Sequence, residues 1–156
     1  MLRRFPSTVM KTILVPIDFS DVTPLVLSTS RSLAAAFGSR VILLNVIEPE
    51  PDLVGFDPAF AGVPPVIVRD YQAEQKKLED LLLPYLAAGC AATALHLNGP
   101  VVPIIIEVAK REAADLIVIG SHGHGALFEL LVGSVTHGIL KHGPCPVLVV
   151  PAKKRG

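Results

Sequence analysis

Five short aliphatic runs, at 12–17, 41–46, 92–97, 115–119 and 146–150, alternate with segments whose apolar residues recur at helical spacing. That alternation constrains the fold more than any other feature of the chain. The runs are mostly free of the polar-apolar alternation that marks a half-solvated strand, so both faces of each strand are expected to be covered. Strands alternating with helices predict one α/β domain with a parallel sheet, since a parallel crossover needs a connection long enough to hold a helix. Composition fits this reading. With 51% hydrophobic residues, 5% aromatic and no Trp, the core has to be built from Val, Ile, Leu and Ala. A chain of 156 residues is enough for one such core.

The helices carry their own punctuation. Thr23-Pro24 reads as an N-cap and first helical residue, with Val26, Leu27, Leu33, Ala34 and Phe37 on the apolar face and Gly38 as the stop. Residues 70–88 place Tyr71, Leu78, Leu81, Leu82 and Tyr85 on one helix, which Pro84 is expected to kink or shorten. Gly99-Pro100 opens a helix whose core face is Ile104, Ile105, Val108 and Ala109, and Ser134 opens the last helix, 134–142, closed by Gly143-Pro144. Residues 48–66, rich in proline and glycine, read as a mobile loop or a lid. The final run, from Pro146 to Val150, is apolar on both faces although a last strand commonly lies at a sheet edge. It is therefore expected to join two copies into a homodimer.

Charge and cysteine content narrow the function. Lys plus Arg and Asp plus Glu both total 14, so no long-range basic field is present to gather nucleic acid. Cys90 and Cys145 have no metal-type spacing and read as buried thiols in a reducing compartment. No stretch reaches the ~18 consecutive apolar residues of a membrane span, and no apolar segment follows Arg3 and Arg4. A cytoplasmic protein without membrane or nucleic-acid partners is the expectation.

The segment Gly120-Ser121-His122-Gly123-His124-Gly125, with Gly133-Ser134 downstream, follows the fourth run and precedes the last helix. A strand feeding a glycine-rich loop and a helix start suits phosphate binding: glycines permit close approach and positive φ, and the first helical NH groups lack internal partners. Three familiar motifs fail. Ala126 and Leu127 stand where a Walker A loop needs Lys and Ser/Thr, Phe128 where a dinucleotide fingerprint needs a small residue, and Ile119 where a nucleophile elbow needs Gly. The spacing that does hold is Gly-x2-Gly-x9-Gly-Ser, at Gly120, Gly123, Gly133 and Ser134.

With that spacing the chain resembles the universal stress protein family, in its ATP-binding branch. Ile13-Leu14-Val15-Pro16-Ile17-Asp18-Phe19-Ser20, Leu43-Leu44-Asn45-Val46, Asp115 through Gly123 and Pro144 through Val150 look like four of its strand regions. The resemblance implies a single doubly wound domain over 11–151, flanked by tails at 1–10 and 152–156, with a five-stranded parallel sheet of order 3-2-1-4-5 and helices on both faces. It also implies an ATP site at the point where that order reverses. Asp18 and Val46 would flank the adenine, with backbone near Pro16 and Ile17 reading its edge. Ile119 and Gly120 would line the nucleoside, and Gly120, Gly123, Gly133, Ser134 and Val135 the phosphates. The loop lacks lysine, so Mg²⁺ is expected with the triphosphate.

Other readings of these residues remain open. Asp18 can simply order the turn after the first strand, and the glycines can simply permit tight packing. His122, His124, His137 and His142 invite a metal site, but His137 and His142 are five apart and project about 140° from one another, at ~100° per residue. No metal ligands are assigned. Glu129 stands without a flanking base or arginine, so no catalytic residue is assigned and any ATPase activity is expected to be weak. The leading expectation is an ATP-binding regulator in stress response. The alternatives are an interaction module of the same fold that binds no nucleotide, and a slow ATP hydrolase.

Overall fold

The computed structural model describes residues 10–48, 71–121 and 132–152. The tails expected at 1–10 and 152–156 lie outside that set apart from Met10 and Ala152, which pack against the core. Residues 49–66 of the proline-rich loop, His122, Gly123, His124 and Glu129 also fall outside it.

The five aliphatic runs form one parallel sheet. Strands β1 (Thr12–Pro16), β2 (Arg40–Ile47), β3 (Ala92–Asn98), β4 (Leu116–Gly120) and β5 (Val147–Val150) lie in the order β3-β2-β1-β4-β5. The central strand β1 pairs Leu14 with Ile42 on one side and with Ile117 on the other. Burial on both faces follows: Ile13, Leu14 and Val15 are fully buried, as are Ile117 and Val118. One face, with Ile13, Val15, Val41 and Leu43, packs against α1 (Thr23–Phe37), α2 (Tyr71–Asp80) and α3 (Leu83–Ala87). The other, with Leu14, Ile42 and Leu44, packs against α4 (Val101–Arg111) and α5 (Ser134–His142).

Local sequence explains most element boundaries. Gly38 ends α1 at φ 66°, a left-handed conformation in which a side chain would be strained. The start of that helix is shifted by one residue from expectation. Val22 is its N-cap, Thr23 already lies inside, and no side chain caps the turn. Residues 70–88 do not form one helix. Pro84, which lacks an N–H, sits in the first turn of a second helix, α3, where that N–H has no intrahelical acceptor to lose. Asp115 precedes β4 rather than opening it, and its Oδ2 accepts from the backbone N–H groups of Lys11 and Thr12 at 2.8 and 2.9 Å.

Several apolar residues expected in the core are not there. Phe37 and Tyr71, at helix ends, are exposed, while Leu78 and Tyr85 are buried. Tyr85 Oη lies 2.6 Å from Ser30 Oγ and donates to the Leu27 carbonyl at 3.1 Å, tying α3 to α1. Cys90 is buried but Cys145 is only half-buried, and both are free thiols. β5 occupies the edge expected of it, with Leu148 37% exposed on the side away from α5. Among the described residues, no helix is long and apolar enough to cross a membrane.

Candidate functional site

The chain leaves β1 and β4, adjacent in the sheet, toward opposite faces: α1 follows the first and α5 packs over the other side. Diverging connections open a crevice beyond the strand ends, where open α/β sheets hold their ligands. A cavity of about 560 Å³ occupies that position, within the size range of small-molecule sites.

The end of β1 supplies one wall. The Ile17 N–H donates to the Leu44 carbonyl at 2.8 Å, and the Ile17 carbonyl accepts from Asn45 Nδ2, also at 2.8 Å. Strand β2 therefore holds Ile17 at both backbone groups, leaving the second lone pair of its carbonyl for a ligand. Asp18 follows, exposed, with its Oδ1 accepting the Ser20 N–H at 2.9 Å. The turn-ordering role open to Asp18 from sequence is thus present. Between them Phe19 has φ 59°, sparsely populated for a residue with a side chain, and Lys77 Nζ of α2 lies 4.3 Å from the centre of its ring.

The end of β4 and the start of α5 form the facing wall. Gly120 closes β4 and is buried; Thr136 Oγ1 donates to its carbonyl at 2.7 Å, and the Gly133 N–H donates to the Ser121 carbonyl at 2.8 Å. The first bond of α5 runs from the His137 N–H to the Gly133 carbonyl, so the N–H groups of Ser134, Val135 and Thr136 have no intrahelical acceptor. Gly133 has φ −58° and ψ 160°, accessible to any residue. Positive φ therefore does not account for this glycine.

Charge around the cavity is sparse. Its described lining holds the carboxylates of Asp18 and Glu74 but no Lys or Arg, so attraction for an anion comes from the positive end of α5. Among the described residues no group of three His, Cys, Asp or Glu converges to hold a metal ion. His137 and His142 are both exposed on α5.

Of the ten residues expected at a site, nine line this cavity: Pro16, Ile17 and Asp18 from the end of β1, Val46 from β2, Ile119 and Gly120 from β4, and Gly133, Ser134 and Val135 at the start of α5. Gly123 lies outside the described residues. The sequence reading passed over Phe19, Asn45, Glu74 and Thr136, which also line it. Asn45 had a visible signal, a lone amide among the aliphatic residues 41–47 of β2. Thr136 and Glu74 had none, since a threonine in a first turn and a glutamate on an exposed helix are ordinary.

Fold and cavity together define a single-domain, doubly wound α/β protein with a small-molecule crevice at the switch point of its sheet. The profile of the universal stress protein family matches residues 10–151, and the chain belongs to that family. A universal stress protein of Thermus aquaticus is 34% identical over 140 residues, spanning 90% of this chain and 98% of its own. Universal stress protein MJ0577 of Methanocaldococcus jannaschii is 30% identical over 160 residues, spanning 94% and 98%. The solved structure of MJ0577 superimposes with a TM-score of 0.73 at 27% identity, over 94% of this chain and 99% of that one. UspA of Lactobacillus plantarum gives 0.72 at 25% identity, over 90% and 97%.

Proposed function

We propose that the cavity binds an adenine nucleotide, ATP with Mg²⁺ in the first instance, and that the protein is a cytoplasmic nucleotide-dependent regulator in stress response. The observation that carries this reading is the convergence, in one crevice, of the largely apolar ends of β1 and β2 with the N–H groups at the start of α5 that lack an intrahelical acceptor. A purine ring needs the first and a phosphate chain the second. Two universal stress proteins of the same fold support it: one was solved in complex with cAMP (TM-score 0.68, 22% identical) and one from Archaeoglobus fulgidus with dAMP (TM-score 0.63, 19% identical). At those identities the fold is what they share with this chain.

In this reading Asp18 and Val46 flank the base, with the Ile17 carbonyl and Pro16 at its edge. Ile119 and Gly120 face the nucleoside. Ser134, with its hydroxyl and N–H, and the N–H of Val135 hold phosphate oxygens beside Gly133; Gly123, assigned to the same phosphates from sequence, lies outside the described residues. Bound Mg²⁺ would supply charge neutralisation, taking its ligands from phosphate oxygens and water. Exposed Leu148 on the edge strand β5 supports a homodimer joined there.

The test is direct. Protein purified gently, then denatured by heat, should release an adenine nucleotide identifiable by chromatography, and stripped protein should bind ATP in calorimetry. Protein that carries no nucleotide and ignores added ATP would replace this reading with an interaction module of the same fold.

A further inference from the structure

Several of the chain's basic residues gather at one edge of the sheet. Lys11 precedes β1, Arg40 opens β2, Lys110 and Arg111 end α4, and Lys141 lies in the last turn of α5. In a parallel sheet the strand starts, and the ends of the helices that lead into them, share one edge. These residues therefore stand opposite the crevice, which lies beyond the strand ends. Arg40 is also paired, with Glu112 Oε2 at 3.3 Å. Between Arg111 and Lys141 the sequence contains no Lys or Arg, and that stretch comprises β4, the glycine segment and the start of α5.

That sorting leaves the crevice weak means of holding negative charge. Among the described residues its lining includes no Lys or Arg, while Asp18 places a carboxylate there. Lys77 of α2 stands over the Phe19 ring at 4.3 Å, on the sheet face opposite α5, and is not part of the described lining. What faces an anion is the start of α5, where the Ser134, Val135 and Thr136 N–H groups lack an intrahelical acceptor. A helix end of this kind is equivalent to roughly half an elementary charge, whereas a phosphate monoester carries about two.

We infer that the crevice selects its ligand by charge: it accepts a nucleotide with a single phosphate group unaided, and a polyphosphate chain only as its Mg²⁺ complex. This rests on the nucleotide reading above and specifies which members of that class the chain holds. A first phosphate group meets the N–H donors of α5. Each further phosphoryl group brings charge that no described side chain of the lining offsets, and that charge gives up hydration on entering. Complexed with Mg²⁺, ATP has about the same net charge as a nucleoside monophosphate.

Calorimetry on the full chain, stripped of nucleotide, tests it at about pH 8, where histidine charge does not enter. AMP and ATP are titrated in a chelator and again with excess Mg²⁺. AMP should bind alike in both, within about twofold, while ATP in the chelator should bind at least about tenfold more weakly than AMP and regain that factor with Mg²⁺. Val132→Lys, at an exposed position just before α5, should strengthen the binding of free ATP by a larger factor than that of AMP. Free ATP that binds as tightly as AMP, or AMP that needs Mg²⁺, overturns charge selection and leaves the nucleotide reading standing. Failure of both nucleotides under both conditions overturns that reading and this inference with it. The titrations of the unaltered chain decide the matter even if the variant does not fold.

Discussion

Thr136 Oγ1 donates a 2.7 Å hydrogen bond to the carbonyl oxygen of Gly120, both groups buried, and so the start of α5 is fastened to the end of β4. The N–H groups at the start of α5 owe their place beside the crevice to this link and to the bond from the Gly133 N–H to the Ser121 carbonyl. Thr136→Val keeps the shape and removes the donor. Urea unfolding should show a loss of about 1–3 kcal/mol, with Thr136→Ser close to the parent. Equal stability of the valine variant would mean that the link does not hold the helix.

Ser134 permits a test in which stability and binding move in opposite directions. It is exposed at the first position of α5, where a carboxylate interacts favourably with the helix dipole. Ser134→Glu should raise unfolding free energy by about 0.3–1 kcal/mol. If phosphates sit at that helix end, the same variant should weaken ATP binding at least tenfold in calorimetry. Unchanged affinity would place the phosphates elsewhere.

Tyr85 makes stability sensitive to alkali. Burial, the largest influence, pushes its phenol above the ordinary 10.0, with the Ser30 hydrogen bond acting in the opposite direction. The unfolded chain then ionises first as pH rises, so this contribution is complete below about pH 10 and falls away as pH climbs through the higher folded value. Tyr85→Phe should cost about 1 kcal/mol at pH 7. Above pH 10 its unfolding free energy should decline less steeply than that of the parent.

Gly138 of α5 packs tightly against Val102 of α4. A Cβ built there would lie 2.9 Å from Val102 Cγ2 and 3.0 Å from Cγ1, on a β-branched side chain with little rotamer freedom. Replacing an interior helical glycine by alanine ordinarily stabilises by about 1 kcal/mol. Here Gly138→Ala should instead destabilise, by about 1–3 kcal/mol from overpacking. Combining it with Val102→Ala should turn the alanine at 138 favourable, a coupling that a double-mutant cycle in denaturant would read.

What sequence reveals of this molecule depends on whether the signal is periodic or positional. The aliphatic runs announce buried strands because nothing polar interrupts them, and Gly133-Ser134 announces the start of α5 because helix starts have chemical requirements. Pro84 was legible as a break but not as the first turn of a second helix, α3. The cavity was legible at the strand ends, where the glycines and Asp18 stand out. Glu74 and Thr136 were not, because each enters through the packing of a helix whose own sequence gives no reason to look there.

The order of the strands separates two kinds of evolutionary change. The crevice lies over β1 and β4, in the interior of the sheet, while β3 and β5 form the two borders. Substitutions such as one at Leu148 alter what a border offers to another surface without touching Asp18, Gly120 or the start of α5. The border and the crevice can therefore change independently of one another.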